Sequence, residues 1–516
     1  MNNLARKNIK GMTKYQPPLN GRAQYQGLLL DFNERTENMP TNIIFETVKY
    51  IKDRRLNIYP EYKSLENEIA KYNKVKLGQV LCTNGSSQAI DLIFNTFCDK
   101  GSEAIIPKPS FALFFKAASV ADLKIISPKY KTHNLGFPTN EVLRFVSAKT
   151  KIVTICNPNN PTGTLCSIME IERIAKVAKN SIILIDEAYF EFSNLSALKL
   201  ISNYPNIIII RTFSKAFGLA ALRIGYIIAS EENIEQIAKV KNPYDVNMIG
   251  YQAAYFALKE RKEFKKFIQE VNFKSKPLLE KFFKENKIKY FKSKANFILF
   301  QYKQSEQLCA YFEQQKIRVR PQKIDSLKNA IRVTIGNLKE TKKFINSFSR
   351  YLEKKDKIAF IDRDGTLIFE PQDTFQVDDL SQLKILKGVT TGLKKLIKND
   401  YKLVMVTNQD GLGTKNYSLQ TFRTIQNELL QRLERNGIKF GEVFVCPHYA
   451  YENCKCRKPK KFMVKKFIQD NKIDFAKSLM IGDRKTDEIF AKNLGVKFIK
   501  IETNKNFDLS NFEYKL

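Results

Sequence analysis

Apolar and polar residues alternate along the chain in a pattern that predicts strands and helices in turn. In the first 350 residues, runs rich in isoleucine and valine cover residues 151–156, 181–186, 206–211 and 225–229, and helical patterns separate them. Short apolar runs of this kind are typical of strands that are buried on both faces. The pattern predicts an α/β fold with a largely parallel sheet covered by helices.

Three further apolar runs, at residues 357–362, 402–407 and 478–483, each end in a carboxylate or a hydroxyl. A doubly wound parallel sheet collects the carboxyl ends of its strands at one edge, where such sheets bind ligands. We therefore predict a second α/β domain. Because 516 residues exceed what one core supports, we place two domains at residues 1–352 and 353–516.

Composition narrows the classes of function. No apolar run approaches the roughly 20 residues of a membrane helix, so we expect no membrane contact. The start, Met1 to Arg6, lacks the apolar stretch of a secretory signal, which predicts a cytoplasmic protein. The net charge of +34 comes mostly from scattered lysines without a compact arginine patch. We therefore expect solvated surfaces and no nucleic-acid partner.

A loop and a lysine carry the candidate chemistry of the first domain. Residues 157–163 read Asn-Pro-Asn-Asn-Pro-Thr-Gly, which fixes a turn at the carboxyl end of a predicted strand. Ser214 and Lys215 follow another strand, and Arg223 lies eight residues further on. A lysine amine beside an anion-binding arginine is what an enzyme that uses pyridoxal 5′-phosphate (PLP) needs.

Residues 157–163, 186–189 and 212–223 together resemble the motifs of fold-type I, class II aminotransferases, with histidinol-phosphate aminotransferases as the nearest subgroup. The likeness implies a large mixed sheet, a small α/β subdomain, PLP and a homodimer. It implies that Lys215 bonds to the cofactor carbonyl and moves the proton. Asp186 would pair with the pyridine nitrogen and keep it protonated.

The resemblance implies further cofactor contacts. The residues implied to bind PLP are Gly85, Ser86, Ser87, Phe111, Asn160, Asp186, Tyr189, Ser214, Arg223 and, across a dimer interface, Tyr59. Residues 85–87 precede a helical pattern, where backbone amides bind an anion. Phe111 would stack on the cofactor ring, and Asn160 and Tyr189 would bond its hydroxyl oxygen.

Substrate recognition is assigned to two arginines that match arginines of the same family. Arg320 and Arg332 would clamp the anionic group of the amino donor or the substrate phosphate, since a guanidinium binds either in bidentate fashion. The chain departs from the family at Ser87-Gln88 and at Arg35-Thr36. These segments border the substrate entrance, so the identity of the amino-group acceptor is left undecided.

The second domain begins with a motif for phosphoryl transfer. Asp362 and Asp364 stand one residue apart in Asp-Arg-Asp-Gly-Thr, directly after an apolar run. This motif, with its later partners in order, resembles haloacid-dehalogenase-type phosphatases, and the nearest is a histidinol-phosphate phosphatase. The resemblance implies Asp362 as the nucleophile and Asp364 as the general acid and base.

The same resemblance implies substrate and magnesium contacts. The residues implied to bind substrate are Thr407, Asn408, Arg457 and Lys458. The ligands implied for Mg²⁺ are Asp362, the backbone carbonyl of Asp364, and Asp483, with support from Asp487. No large cap domain fits between the motifs, which favours a small, accessible substrate.

Three cysteines cluster with one of the two histidines of the chain. Cys446, His448, Cys454 and Cys456 could complete one tetrahedral zinc site with no open position, so we expect structural Zn²⁺. The ion would pin the loop that presents Arg457 and Lys458. A heptose-bisphosphate phosphatase subgroup shares this loop, so it does not decide the substrate.

The two resemblances converge on histidine biosynthesis. The first domain would transfer an amino group from glutamate to imidazole-acetol phosphate, and the second would hydrolyse the resulting L-histidinol phosphate through an aspartyl phosphate. An alternative is an aminotransferase and phosphatase for another small phosphate ester, in a surface-sugar or cobamide-type pathway. A DNA-binding regulator that keeps a PLP fold is disfavoured, because roughly 20 residues leave no room for a helix-turn-helix.

Overall fold

The computed structural model describes residues 4–53, 57–59, 61–322, 327–415 and 417–509. They form two compact units, Met1–Tyr351 and Leu352–Leu516. Pro60, beside Tyr59, and the first three residues of the predicted start lie outside the described residues. Within the described ranges, every helix is too short or too polar to cross a membrane.

The first unit alternates strands with helices along most of its length. Its strands are β1 (Leu28–Leu29), β2 (Val80–Thr83), β3 (Glu103–Ile105), β4 (Lys124–Ile126), β5 (Thr150–Cys156), β6 (Ile182–Asp186), β7 (Ile207–Thr212), β8 (Gly225–Ile228), β9 (Lys289–Phe291), β10 (Phe297–Gln301), β11 (Ile317–Arg318), β12 (Arg320–Gln322) and β13 (Ala330–Thr334).

The helices that begin in this unit are α1 (Lys7–Lys10), α2 (Thr41–Asp53), α3 (Lys63–Asn73), α4 (Gly85–Phe97), α5 (Ala112–Val120), α6 (Thr139–Phe145), α7 (Ile168–Val177), α8 (Phe190–Ser193), α9 (Glu231–Val240), α10 (Met248–Lys259), α11 (Arg261–Glu270), α12 (Lys276–Glu285), α13 (Ser305–Gln314) and α14 (Leu338–Glu353). A π-helical turn, Val271–Ser275, joins α11 to α12.

The main sheet has seven strands in the order β2-β8-β7-β6-β5-β3-β4. The strands from β7 to β4 run parallel, whereas β8 runs antiparallel to both of its neighbours. Apolar β-branched residues fill β5, β6 and β7, which are buried on both faces. The prediction of a largely parallel α/β sheet is confirmed, and β8 makes it a mixed one.

A smaller antiparallel sheet, ordered β12-β13-β10-β9, forms the subdomain. Next to it, β1 pairs with β11 in parallel, with Leu28 opposite Ile317. The chain that leaves β1 stays on this subdomain, because the N–H of Thr334 donates to the oxygen of Leu30 at 2.8 Å. Phe32 accepts a hydrogen bond from Lys215 in the turn after β7, and the N–H of Asn33 donates to Thr334, so this segment lies between that turn and the small sheet.

The second unit is a five-stranded parallel sheet with helices on both faces. Its strands are β14 (Lys357–Ile361), β15 (Tyr401–Asn408), β16 (Glu442–Cys446), β17 (Leu479–Gly482) and β18 (Lys497–Lys500), in the order β16-β15-β14-β17-β18. Its helices are α15 (Val389–Lys398), α16 (Leu419–Arg435), α17 (Lys465–Asp470) and α18 (Lys485–Leu494).

Alternation along β14 and β15 gives this unit two hydrophobic cores. Ala359 and Ile361 pack on one face, and Ile358 and Phe360 pack on the other. Asp362 follows β14, Thr407 lies near the end of β15, and Asp483 follows β17. The parallel register therefore brings these three side chains to the same edge of the sheet.

Candidate active sites

Lys215 lies in the turn that follows β7, and the protein encloses its amine. The Nζ donates a hydrogen bond to the backbone oxygen of Phe32 at 2.8 Å. Burial, together with the positive charges of Arg332 and Arg223, lowers the pKa of the amine to about 8. Such an amine is partly neutral near pH 7 to 8, so it can attack a carbonyl carbon and carry a proton.

Asp186 ends β6, the strand beside β7. Its Oδ1 accepts a hydrogen bond from the N–H of Ala188 at 3.0 Å. Burial raises the pKa of this carboxyl to about 7, while that N–H and the charge of Lys215 oppose the rise. A buried carboxylate that interacts with the lysine charge is suited to pair with a protonated ring nitrogen.

A cradle for an anion lies where α4 begins. A Cβ atom at Gly85 would lie 2.7 Å from Nη2 of Arg223, and one at Gly225 would lie 2.6 Å from the backbone nitrogen of Ser86. The two glycines therefore let the guanidinium and the first amides of α4 approach each other. The side chain of Asn84, the residue before this helix, makes no capping hydrogen bond to it. The N–H groups at this end can thus bind a phosphate.

Ser214 and Ser87 complete this part of the site. Ser214 is buried, and its hydroxyl accepts a hydrogen bond from Thr212 Oγ1 at 2.9 Å. Ser87 is half-buried in the first turn of α4. The cradle, the lysine and the buried carboxylate fit the phosphate, the carbonyl and the ring nitrogen of PLP, respectively.

Arg332 links the predicted cofactor and substrate contacts. Its Nη1 donates to Oδ1 of Asn160 and its Nη2 donates to the backbone oxygen of Asp31 at 2.6 Å, while its buried Nε has no hydrogen-bond partner among the described residues. The hydroxyl of Tyr189 accepts a hydrogen bond from Nδ2 of Asn33 at 3.0 Å. Arg332 is thus bonded directly to Asn160, and the segment after β1 contacts both Arg332, through Asp31, and Tyr189, through Asn33.

Two other predicted residues lie in different surroundings. The Tyr59 side chain is 73% exposed and stacks on Tyr244 with ring centroids 4.1 Å apart. Phe111 is half-buried just before α5 and packs edge-on against Phe114. The structure of one chain does not test the contact across a dimer interface, so the role of Tyr59 stays a prediction.

In the second unit, Lys458 bridges two carboxylates. Its Nζ lies 2.6 Å from Oδ1 of Asp362 and 2.6 Å from Oδ1 of Asp487, and all three side chains are buried. Burial and the charge of Asp487 raise the pKa of Asp362 to about 6, although Lys458 opposes the rise. Lys458 thus lies where it can offset negative charge beside the proposed nucleophile.

Asp364 is oriented by three polar neighbours. Oδ1 accepts a hydrogen bond from Arg363 at 2.8 Å, and Oδ2 accepts one from Nε2 of Gln409. Thr407 Oγ1 lies 3.5 Å from the same Oδ2. The side chain of Arg363 is fully buried and packs over the ring of Phe422. The predicted pair Asp362 and Asp364 is therefore held by separate sets of contacts.

Carboxylate oxygens of Asp362, Asp483 and Asp487 lie within 4.8 Å of one another. The hydroxyls of Thr366 and Thr503 donate to the two oxygens of Asp483 at 3.1 and 2.8 Å. Hard oxygen ligands of this kind suit Mg²⁺. The cluster includes Asp487, which the sequence indicated only as support, and that carboxylate already binds Lys458.

The four predicted zinc ligands come together. The Cys446 Sγ atom lies 3.6 Å from Cys454 Sγ, 3.4 Å from Cys456 Sγ and 3.6 Å from His448 Nδ1. Ligands about 2.3 Å from one tetrahedral ion would be about 3.8 Å apart, so the spacing is close to that of a zinc site. The Arg457 N–H donates to Cys454 Sγ at 3.3 Å, which supports a thiolate there.

The remaining predicted substrate contacts have protein partners. The side-chain amide of Asn408 bonds both the N–H and the oxygen of Lys458, at 3.0 and 3.4 Å. Arg457 pairs with Asp410 and donates to the oxygen of His448 at 2.9 Å. In this arrangement Asn408 positions the lysine and Arg457 braces the zinc loop, and substrate contact by either stays a prediction.

Comparisons with known proteins decide the family of the first unit. The family model for class I and II aminotransferases matches residues 26–348, more than half of the chain. The chain belongs to the class I and II aminotransferases.

Its relatives indicate which aminotransferases the chain resembles. The histidinol-phosphate aminotransferase of Thermoanaerobacter sp. (strain X514) is 31% identical over 356 residues, which cover 68% of this chain and 99% of that relative. The crystal structure of histidinol-phosphate aminotransferase from Sinorhizobium meliloti in complex with pyridoxal-5′-phosphate has a TM-score of 0.60 at 17% identity, covering 68% of this chain and 98% of that one. This second likeness shows the fold.

The second unit of this aminotransferase chain matches a different family model, and the chain has a relative of another kind. The family model described as polynucleotide kinase 3 phosphatase matches residues 357–504. The histidine biosynthesis bifunctional protein of Buchnera aphidicola subsp. Acyrthosiphon pisum (strain Tuc7) is 49% identical over 146 residues, which are 28% of this chain and 41% of that protein.

The two departures from the aminotransferase pattern have structural partners. Gln88 accepts a hydrogen bond from the N–H of Asn84 at 2.7 Å and donates to Asp245. Arg35 is enclosed between the rings of Phe264 and Phe267. These contacts explain how both residues fit the fold, and they do not identify the amino-group acceptor.

Sequence reasoning missed two polar residues beside the second site. Gln409 contacts Asp364, and its neighbours in the sequence, Thr407 and Asn408, were the available signal. Glu370 is buried and pairs with Arg484, and burial raises its pKa to about 7. Because 114 positions separate these two residues, local pattern carries no signal for the pair.

Proposed function

We propose that this chain is a bifunctional enzyme of histidine biosynthesis. The first unit transfers an amino group from glutamate to imidazole-acetol phosphate and forms L-histidinol phosphate and 2-oxoglutarate. The second unit hydrolyses L-histidinol phosphate to L-histidinol and phosphate. The L-histidinol phosphate formed by the first unit is then the substrate of the second unit.

One observation carries this proposal: relatives of both kinds bear names from the same pathway. Those along the first unit are histidinol-phosphate aminotransferases, and another is a histidine biosynthesis bifunctional protein. We assign the latter match to the second unit, because its 146 residues agree in length with that unit and the aminotransferase match occupies the rest. Neither half alone would select the substrate.

The proposed transamination uses PLP, which when bound supplies a carbonyl and an electron-withdrawing ring. Asp186 would keep the ring nitrogen protonated, and the cradle of Gly85, Ser86 and Arg223 would hold the phosphate. Lys215, whose pKa is lowered to about 8, would accept and release the transferred proton at its Nζ. Arg332 and Arg320 bind the anionic groups of the two substrates in turn.

In the proposed hydrolysis, Asp362 attacks phosphorus and Asp364 protonates the leaving alkoxide. Water activated by the Asp364 carboxylate then attacks the aspartyl phosphate, which releases phosphate and restores Asp362. Lys458 offsets the negative charge of the transferring group, and Thr407 donates a hydrogen bond to it. We propose that the second unit belongs to the haloacid-dehalogenase-type phosphatases, because its residues fit these roles.

Two metals belong to the proposal. Mg²⁺ would be held by Asp362, Asp483 and the backbone carbonyl of Asp364, and it would screen the phosphate charge. Zn²⁺ would be held by Cys446, His448, Cys454 and Cys456 as a structural ion.

We also propose a homodimer formed through the first unit. Tyr59 and Tyr244 stack on each other while they remain 73% and 59% exposed. Exposed aromatic residues are enriched at protein–protein interfaces. In the proposed dimer, Tyr59 would reach the phosphate of the PLP that the other protomer binds. Sedimentation of the purified chain at several concentrations tests this association.

A coupled assay tests the proposed reactions. Purified protein with PLP, Mg²⁺, glutamate and imidazole-acetol phosphate should release both 2-oxoglutarate and phosphate. In a parallel assay, the imidazole-acetol phosphate is replaced as amino-group acceptor by a phosphorylated keto sugar or by a phosphorylated carbonyl precursor from a cobamide-type pathway. Preferred turnover in that parallel assay would replace histidine biosynthesis by the alternative pathway.

Two variants separate the units. Lys215→Ala should abolish 2-oxoglutarate formation and keep the hydrolysis of added L-histidinol phosphate. Asp362→Asn should keep transamination and abolish phosphate release. Loss of both activities in either variant would contradict the assignment of one reaction to each unit.

A further inference from the structure

A groove in the first unit is lined by described residues other than those assigned to PLP. It has a volume of about 340 Å³, and it is formed by one face of α14 together with the end of α13 and the start of β11. Lys339, Lys342, Lys343 and Arg350 line it from α14. Lys342, Lys343 and Arg350 follow Lys339 by three, four and eleven positions, so all four lie on one side of the helix.

The positive charge of this groove is not balanced locally. None of the described residues that line it is acidic. The nearby carboxylate of Glu340 accepts hydrogen bonds from Thr36 Oγ1 and from the N–H of Asn337. Glu313 pairs with Arg318. Four cations therefore face one cavity, and their mutual repulsion is a cost that a bound anion would remove.

A buried hydroxyl supplies a second, independent sign of a ligand. Ser347 lines the groove, is 7% exposed, and its Oγ has no hydrogen-bond partner among the described residues. In a helix, a serine hydroxyl commonly bonds the carbonyl one turn earlier. Leaving a buried hydroxyl unpaired costs about 1 to 3 kcal/mol, so a turn of the Ser347 side chain that lets it donate to a ligand oxygen in the groove would be favourable.

We propose that this groove binds a small molecule with two or more phosphate groups. Several cations can contact phosphate oxygens at once, and the Ser347 hydroxyl, once turned toward the groove, can donate to one of them. The volume is in the range of small-ligand sites, roughly 300 Å³ and above, which favours a compact metabolite over a polymer. Ile317 offers an apolar wall for the rest of the molecule.

Methylenediphosphonate, which the phosphatase cannot hydrolyse, is the probe. Isothermal titration of the full PLP-loaded chain without added Mg²⁺ should show binding that weakens at least about tenfold in Lys339→Gln/Lys342→Gln, since each charged contact contributes strongly. The matched control is Lys262→Gln/Lys265→Gln, which removes the same charge with the same spacing from exposed positions on α11. This control should bind as the wild type does.

Ser347→Ala tests the hydroxyl without a change of charge. We expect it to weaken binding about threefold to tenfold, as the loss of one hydrogen bond to an anion does. The PLP and phosphatase sites are the same in all variants, so any binding there cancels in the comparison. Identical isotherms for the wild type and Lys339→Gln/Lys342→Gln, or an equal loss in the control, would overturn the proposal.

Discussion

Arg320 and Arg332 lie directly opposite each other on the antiparallel strands β12 and β13. Residues in this relation project to the same face of the sheet, and like charges there repel. Burial, with the charge of Arg320 acting in the same direction, lowers the pKa of Arg332 to about 10. This repulsion is offset when an anion lies between the guanidinium groups, which is the role proposed for substrate.

Arg332→Gln should impair substrate binding more than Arg320→Gln. Arg332 is buried and charge-assisted contacts contribute about 1.5 to 3 kcal/mol, so we expect its loss to raise the KM for glutamate about 10- to 100-fold. Arg320 is only half-buried, and its loss should have a smaller effect. Steady-state kinetics with PLP content measured in parallel checks this order. The reverse order would assign the carboxylate to Arg320.

The capture of PLP by the apoprotein should depend on pH through Lys215. Its pKa is lowered to about 8, so the neutral amine, and with it the capture rate, should rise as the pH increases through 8. Arg332 lowers this pKa and Glu34 raises it. The inflection should therefore move to higher pH in Arg332→Gln and to lower pH in Glu34→Gln. Stopped-flow absorbance of PLP uptake measures both, and shifts in the same direction would contradict the electrostatic account.

The sequence indicated the strands of the central sheet well because they are uniformly apolar. The run 151–156 became β5, Thr150–Cys156, and the run 225–229 became β8, Gly225–Ile228. Periodicity identifies a buried strand and does not give its direction. The antiparallel course of β8 depends on its pairing with β2 and β7, which are distant in sequence.

The chemistry of the sites was visible in short motifs, whereas the contacts that orient it were not. Asp362 and Lys458 are 96 positions apart, and they meet because Asp362 follows β14 while Asn408, at the end of the neighbouring β15, holds the backbone of Lys458. The link from Asn160 to Arg332 spans 172 positions. Side-chain partners at such separations are fixed by tertiary packing, so a single sequence predicts the reactive groups and leaves their supporting contacts open.

A buried ion pair behind Asp186 should be important for stability. Glu187 accepts a hydrogen bond from Arg211 Nη2 at 2.7 Å, and both side chains are buried. Removing one partner of such a pair costs about 3 to 5 kcal/mol, because the other charge stays buried. Glu187→Gln should therefore lower the free energy of unfolding strongly. Glu285→Gln, in an exposed pair with Lys281, should change it by about 0.5 kcal/mol or less in urea denaturation.

Cys454→Ser should release the zinc ion and destabilise the second unit first. Three remaining ligands hold the metal less tightly, and zinc binding is coupled to folding of the loop that carries Lys458. The zinc content measured by metal analysis should fall from one ion per chain towards zero. Phosphatase activity should be lost, and transamination should be kept. Cys309→Ser, at a single cysteine on α13, is the control and should keep the metal. Unchanged zinc in Cys454→Ser would refute the cluster.

Asp487→Asn should impair the phosphatase through Lys458. The Nζ of Lys458 lies 2.6 Å from both Asp487 and Asp362, so Asp487 shares the lysine charge and fixes its position. With Asp487 neutral, Lys458 should pair more tightly with Asp362 and leave that carboxylate a poorer nucleophile.

We expect the kcat of phosphate release to fall about 10- to 1,000-fold in this variant, in line with the loss of a well-placed electrostatic contact. The KM should change less, and transamination by the same protein should be unaffected. A control at the rim of the unit, Asp470→Asn at the end of α17, should leave phosphate release unchanged. If Asp487→Asn instead raised the KM alone, Asp487 would act in substrate binding, and its proposed effect on the nucleophile would be wrong.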